Sequence, residues 1–147
     1  MSPSAKPAVV RFYFDADVLG LAKVLAALRS DVTYPGDPGA VIRRRERPPC
    51  PVTSTAVKDA EWIPTVTAQG WIIVTRDRRI QQHRAEMDAV RSAGARMVAF
   101  SAKDAGDTWS QLEALMTNWR RIERLTGEPG PYIYNCTRTL LRAVDLG

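Results

Sequence analysis

Carboxylates are the groups through which this chain could do chemistry. Asp15 and Asp17 stand two residues apart behind the run Val9–Phe14, and Asp59 opens a stretch with helical spacing. Asp77 follows Trp71-Ile72-Ile73-Val74-Thr75 by two residues, and Asp104 and Asp107 follow Arg96–Phe100. Carboxylates gathered at one place repel and raise one another's pKa. A divalent cation relieves that conflict, and hard oxygen donors with retained water suit Mg2+ or Mn2+. Such an ion lowers the pKa of a water and offsets charge developing on a phosphodiester.

Each acid also has a structural reading. Asp is a favoured helix N-cap, and Asp59 and Asp77 both stand where a helix begins. Ser101-Ala102-Lys103-Asp104 is similar to a capping box with Asp in place of Glu or Gln. The combination of an acid after the first strand, one at a mid-chain helix start and Thr-x-Asp after the next strand exceeds what capping requires. Other chemistries find little support. The single histidine, His83, falls on a polar helical face, and Cys50 and Cys136 match no metal spacing. No Ser/His/Asp set, P-loop or Gly-x-Gly-x-x-Gly is present.

The elements that must position these acids follow from pattern. Val9–Phe14 reads as a strand, Leu19–Arg29 as a helix with Leu21, Val24, Leu25 and Leu28 on one stripe, and 31–34 as a short strand. Residues 35–57, with seven prolines and glycines before Thr53, read as a long loop. Lys58–Gln69 reads as a helix despite Pro64 and stops at Gly70. Trp71–Thr75 is the clearest buried strand, followed by a polar helix over Ile80–Ala93 and a strand over Arg96–Phe100. Asp104–Leu125 predicts a long helix with Trp109, Leu112, Leu115, Met116, Trp119 and Ile122 inward. Tyr132–Tyr134 and Thr139–Val144 are strand-like pieces of a tail. Strand–helix alternation argues for an α/β fold with a mainly parallel sheet, whose carboxyl edge would collect the acids.

The chain has 147 residues, 45% apolar and 25% charged, which predicts one domain over 1–147 with its core at about 9–125 and an extension over 126–147. No apolar run is long enough to span a membrane, and MSPSAKPAVV has no signal-peptide core, so a cytoplasmic protein with two free thiols is expected. The net charge is +5, and 17 of the 21 basic residues are Arg, whose planar fork suits phosphate. Arg43-Arg44-Arg45-Glu46-Arg47 concentrates that charge locally.

Phe14-Asp15-Ala16-Asp17, Lys58-Asp59-Ala60-Glu61-Trp62 and Gly70-Trp71-Ile72-Ile73-Val74-Thr75-Arg76-Asp77 together resemble the PIN-like nucleases. Within them the likeness is to the VapC-like toxins of bacterial type II toxin–antitoxin pairs, and it runs from residue 9 to about 125. The resemblance implies a three-layer α/β/α sandwich, Mg2+-dependent RNA cleavage and inhibition by a cognate antitoxin, with a homodimer common in such toxins. Residue by residue, Asp15, Asp59 and Asp77 match the metal-holding acids and Thr75 the hydroxyl residue before the last of them. Asp17, Asp104 and Asp107 compete for a fourth acid. Arg76, Arg78 and Arg79 are expected to contact phosphates, with Arg43, Arg44, Arg45 and Arg47 widening the basic track and Lys58 beside it. The long loop and the tail depart from the usual toxins.

Two other classes remain in view. Phe14-Asp15-Ala16-Asp17-Val18 also resembles the start of haloacid-dehalogenase-like phosphatases, in which the first Asp attacks phosphorus. That reading lacks a terminal acidic pair. A non-catalytic module that binds nucleic acid or an antitoxin is the third, and metal-dependent turnover separates it from both enzymes.

Overall fold

A computed structural model describes residues 5–76 and 84–146. Asp77, Arg78, Arg79 and His83 lie outside the described residues. The strands are β1 (Lys6–Pro7), β2 (Phe12–Phe14), β3 (Val32–Thr33), β4 (Ala40–Ile42), β5 (Arg45–Arg47), β6 (Ile72–Arg76), β7 (Arg96–Phe100), β8 (Tyr132–Cys136) and β9 (Leu141–Ala143). The α-helices are α1 (Leu19–Leu28), α2 (Asp59–Ala68), α3 (Arg84–Ala93) and α4 (Thr108–Arg124).

Six strands form the main sheet in the order β3-β2-β6-β7-β8-β9, parallel except for the β8–β9 hairpin. Ile72–Thr75 is buried on both faces, which is what a continuous apolar run means in a parallel sheet. Alternate side chains build two cores. Phe12, Phe14, Ile72, Val74, Val98 and Phe100 pack with Leu21 and Leu25 of α1 and Leu115 and Ile122 of α4. Tyr13, Ile73, Met97, Ala99 and Ile133 pack on the other face with Trp62, Ile63 and Val66 of α2 and Val90 of α3. The result is the expected α/β/α arrangement.

Register decides where the acids go. Phe14 pairs with Val74, and Arg76 with Phe100, which pairs in turn with Cys136, so the carboxyl ends of these strands align. From β2 the chain first moves outward to β3 and then crosses back to β6 on the other side of β2. The carboxyl ends of β2 and β6 therefore flank a topological switch point, where open α/β sheets bind ligands.

Three expectations change. Residues 35–57 are not a structureless loop, because β4 and β5 form a hairpin and β1 pairs parallel with β5. Its turn is Arg43-Arg44, both at positive φ (49° and 64°), the two-residue geometry that matches strand twist. The inner stripe of α4 is also different. Gln111, Leu115, Asn118 and Ile122 face the core, whereas Trp109 is 71% and Met116 61% exposed. Asn118 is satisfied there by donating to Ala114 O and Thr137 O, both at 2.9 Å. On α1 the buried pairs are Leu21-Ala22 and Leu25-Ala26, and Val24 and Leu28 are exposed. Ala22 and Ala26 share the buried face with Leu21 and Leu25, so that face is centred away from Val24 and Leu28.

Candidate active site

Asp15 ends β2 and caps the short 3-10 turn Ala16–Val18, with Oδ1 accepting from Ala16 N at 2.7 Å. The turn swings Asp17 back beside the end of β6. There the hydroxyl of Thr75 lies 2.9 Å and 3.1 Å from the two carboxylate oxygens of Asp17 and 3.3 Å from Asp15 Oδ2. Arg76 N also donates to Asp17 Oδ2 at 3.2 Å. One hydroxyl proton thus lies between two acids that stand 58 and 60 residues from it in sequence.

Asp59 is the first residue of α2, where the helix end favours negative charge, and its Oδ1 accepts from Trp62 Nε1 at 2.9 Å. Asp15, Asp17, Asp59, Thr75 and Arg76 line one cavity of about 270 Å3, with Tyr13 and Trp62. Pro35, before the β4–β5 hairpin, and Ser54, Thr55 and Val57, after it, form another part of its wall. Burial, then the charge of Asp17 and more weakly that of Asp59, pushes the Asp15 carboxyl up to about 6. That is the electrostatic signature of an acid held near other acids in a low-dielectric site.

Asp104 and Asp107 are not in this cavity. Asp104 accepts from Ser101 Oγ and Arg138 N, both at 3.0 Å, and so fastens the β8–β9 hairpin to the end of β7. Asp107 is the N-cap of α4 and accepts from Ser110 N at 2.7 Å. Both carboxyls lie below the usual range, Asp104 chiefly through the Arg138 amide and Asp107 through that of Ser110. Asp107 is thus a helix cap and Asp104 a tie between β7 and the β8–β9 turn, since Ser101 makes no side-chain capping bond, which leaves Asp17 as the extra acid beside Asp15.

The basic residues divide. Arg76 lines the cavity, and Lys58 is exposed just before Asp59. Arg47 leaves the expected RNA track. It is 3% exposed, with Nε on Asp37 Oδ2 at 2.7 Å and Nη1 donating to Ala26 O and Arg29 O at 3.1 and 3.0 Å. Its donors close the carbonyl end of α1 and are spent inside the protein. Arg43 and Arg45 stand apart from the acids. They line a groove with Arg11, Arg29 and Asp31, which precede β2 and β3. They therefore stand at the amino edge of the sheet, away from the acids.

Tyr13 is a site residue that the acid pattern did not single out. It is fully buried, and its hydroxyl has no hydrogen-bond partner among the described residues. The signal was the two-residue spacing from Asp15, which puts both side chains on one face of the strand. Ser54 and Thr55 had no comparable signal.

The donor set suits a hard divalent cation. Among the described residues no three acidic, histidine or cysteine side chains stand close enough together to enclose one ion. Mg2+ keeps several waters and needs only one or two carboxylates, a demand that the Asp15–Asp17 pair with Asp59 nearby fits. Among the described residues no helix is long and apolar enough to cross a membrane.

The family model for a PIN like domain matches residues 10–102, which span β2 through the first turn after β7. No curated protein and no solved structure matches.

Proposed function

This chain belongs to the PIN-like domain family, a family of nuclease type, and from that premise we propose that it is a Mg2+- or Mn2+-dependent endoribonuclease. The observation that carries the reading is the pairing of Asp15 and Asp17 through Thr75, opposite Asp59, with the Asp15 carboxyl pushed up to about 6 by burial and by those acids.

Asp15, Asp17 and Asp59 would hold the cation, together with Asp77, which lies outside the described residues. When bound, the cation supplies Lewis acidity that lowers the pKa of water and offsets phosphodiester charge. The rest falls to the chain. Thr75 keeps the two carboxylates in register, since its hydroxyl is within reach of both. The Ala16 amide holds one oxygen of Asp15, leaving the other toward Thr75. Trp62 holds Asp59 by its indole N–H and fixes the carboxylate at the start of α2. Arg76, at the cavity edge, would take a nonbridging phosphate oxygen. Arg78 and Arg79 would extend that contact. The wall from Pro35, Ser54, Thr55 and Val57 limits which nucleotides approach.

The resemblance to VapC-like toxins supports a narrower proposal, that the protein is the toxin of a toxin–antitoxin pair acting on cytoplasmic RNA. Its partners would then be an antitoxin and a second copy of itself. The deciding experiment is cleavage of total RNA by the purified chain with Mn2+, beside EDTA and Asp15→Asn controls. Discrete fragments that need the metal and vanish in the variant are the expected result. Equal cleavage by Asp15→Asn, or hydrolysis of a small phosphate monoester without RNA cleavage, would overturn the reading.

A further inference from the structure

We propose that the Tyr13 hydroxyl is a ligand-contacting hydrogen-bond donor of the acid cavity, satisfied only when the cavity is filled. The inference rests on the nuclease reading and adds a residue to it. Tyr13 is 0% exposed, lines the cavity with Asp15, Asp17 and Asp59, and carries a hydroxyl without a partner among the described residues. Buried tyrosine hydroxyls usually find a partner, and an unsatisfied one costs stability.

The neighbours of Tyr13 are otherwise satisfied. The Trp62 indole donates to Asp59, and the Thr75 hydroxyl is engaged by Asp15 and Asp17. The phenol cannot swing away to find an acceptor, because its ring is set in the middle of β2 against the Trp62 ring, with centroids 5.1 Å apart. A phenol hydroxyl is a donor as well as an acceptor, and with acids around it the role open to it is to donate. Phenylalanine would fill the same space without the unmet hydroxyl. A hydroxyl that weakens the empty protein is the local inconsistency expected where function sets the residue.

The acceptor it awaits is an oxygen. Two sources offer one, namely a water in the hydration shell of a bound cation and a nonbridging oxygen of the RNA phosphate. A neutral donor is well suited to either, because it adds no charge of its own to a cavity with three acids.

The test uses the full chain and Tyr13→Phe, melted in EDTA, in Mn2+, and in Mn2+ with a short phosphorothioate oligoribonucleotide. In EDTA the variant should melt about 2–4 °C higher, since it loses an unsatisfied group. Its affinity for the ligand should fall about tenfold. A loss already present with Mn2+ alone assigns the acceptor to the ion's water, and a loss only with the oligonucleotide assigns it to phosphate. A variant that melts lower in EDTA, or binds both ligands as the parent does, overturns the proposal. A parent chain that responds to neither ligand overturns the nuclease reading itself and this inference with it.

Discussion

Asp15 accepts a backbone N–H and stands within reach of Thr75, yet its carboxyl is pushed up to about 6, because burial and the charge of Asp17 outweigh those bonds. A folded-state pKa above the unfolded 3.8 means that folding is favoured below pH 3.8 relative to higher pH. That advantage is lost as pH rises to about 6. The loss is at most about 3 kcal/mol, before solvent screening at a partly exposed group. Asp15→Asn should therefore melt above the parent at pH 8 in EDTA, and the gap should close by about pH 4. Stabilisation of the parent by Mn2+ should shrink as pH falls through about 6, because protons compete for the same oxygens. Lower melting of Asp15→Asn at pH 8 in EDTA would contradict the repulsion. Arg47 and Asp37 give the opposite case. Both are 3% exposed and paired at 2.7 Å, and Asp37 also accepts from Thr33 Oγ1 at 2.8 Å. Arg47→Met leaves Asp37 charged and buried, so denaturant unfolding should show a loss of about 3–5 kcal/mol. The place of Asp15 was legible because an acid directly after a buried strand of a parallel sheet falls at the carboxyl edge. Arg47 was not, because a charge run does not reveal that one member turns inward to an acid ten residues earlier.

At the scale of elements, the long segment 35–57 earns its order from contacts that sequence cannot announce. β1 lies about 40 residues from β5, and β4 and β5 are mostly exposed, so no apolar alternation marks them. Strands β6 and β7 were legible for the converse reason, being apolar on both faces. The α4 stripe was right at Leu112, Leu115, Trp119 and Ile122 and wrong at Trp109 and Met116, which are exposed. In the structure a buried Asn118 satisfies the hairpin from β8 instead. The segment matters to the site because Gly36 N donates to Val52 O and Cys50 N to Asp37 O, at 2.8 and 2.9 Å, just before the wall residues Ser54 and Thr55. Gly39 is the hinge of this packing. Its φ is +84°, and a Cβ there would fall on the Arg47 carbonyl. Gly39→Ala should cost about 1–3 kcal/mol in thermal unfolding. It should also raise KM for RNA more than it lowers kcat, because it shifts the wall and leaves the acids in place. An unchanged KM would separate the segment from substrate binding.

Across the whole molecule, the sheet carries charge at both ends. The acids and Arg76 stand at the carboxyl edge, while Arg43 and Arg45 share the amino edge with Arg11, Arg29 and their partner Asp31. Charge counted along the chain merges these sets into one basic track, and the parallel registers pull them apart. On the proposed nuclease reading, a net charge of +5 would speed encounter with RNA, but distance and screening confine chemistry to the nearer set. The two ends predict different kinetics on a short RNA substrate. Arg76→Ala should lower kcat/KM about tenfold, as loss of a charged hydrogen bond to phosphate does. The double variant Arg43→Ala/Arg45→Ala should stay within about twofold and keep the parent's slope of log KM against log salt, because no phosphate contact has been removed. A flattened slope in the double variant would mean that the RNA wraps from the carboxyl edge around to the hairpin. The substrate footprint would then be set by the β4–β5 hairpin as well as by the cavity.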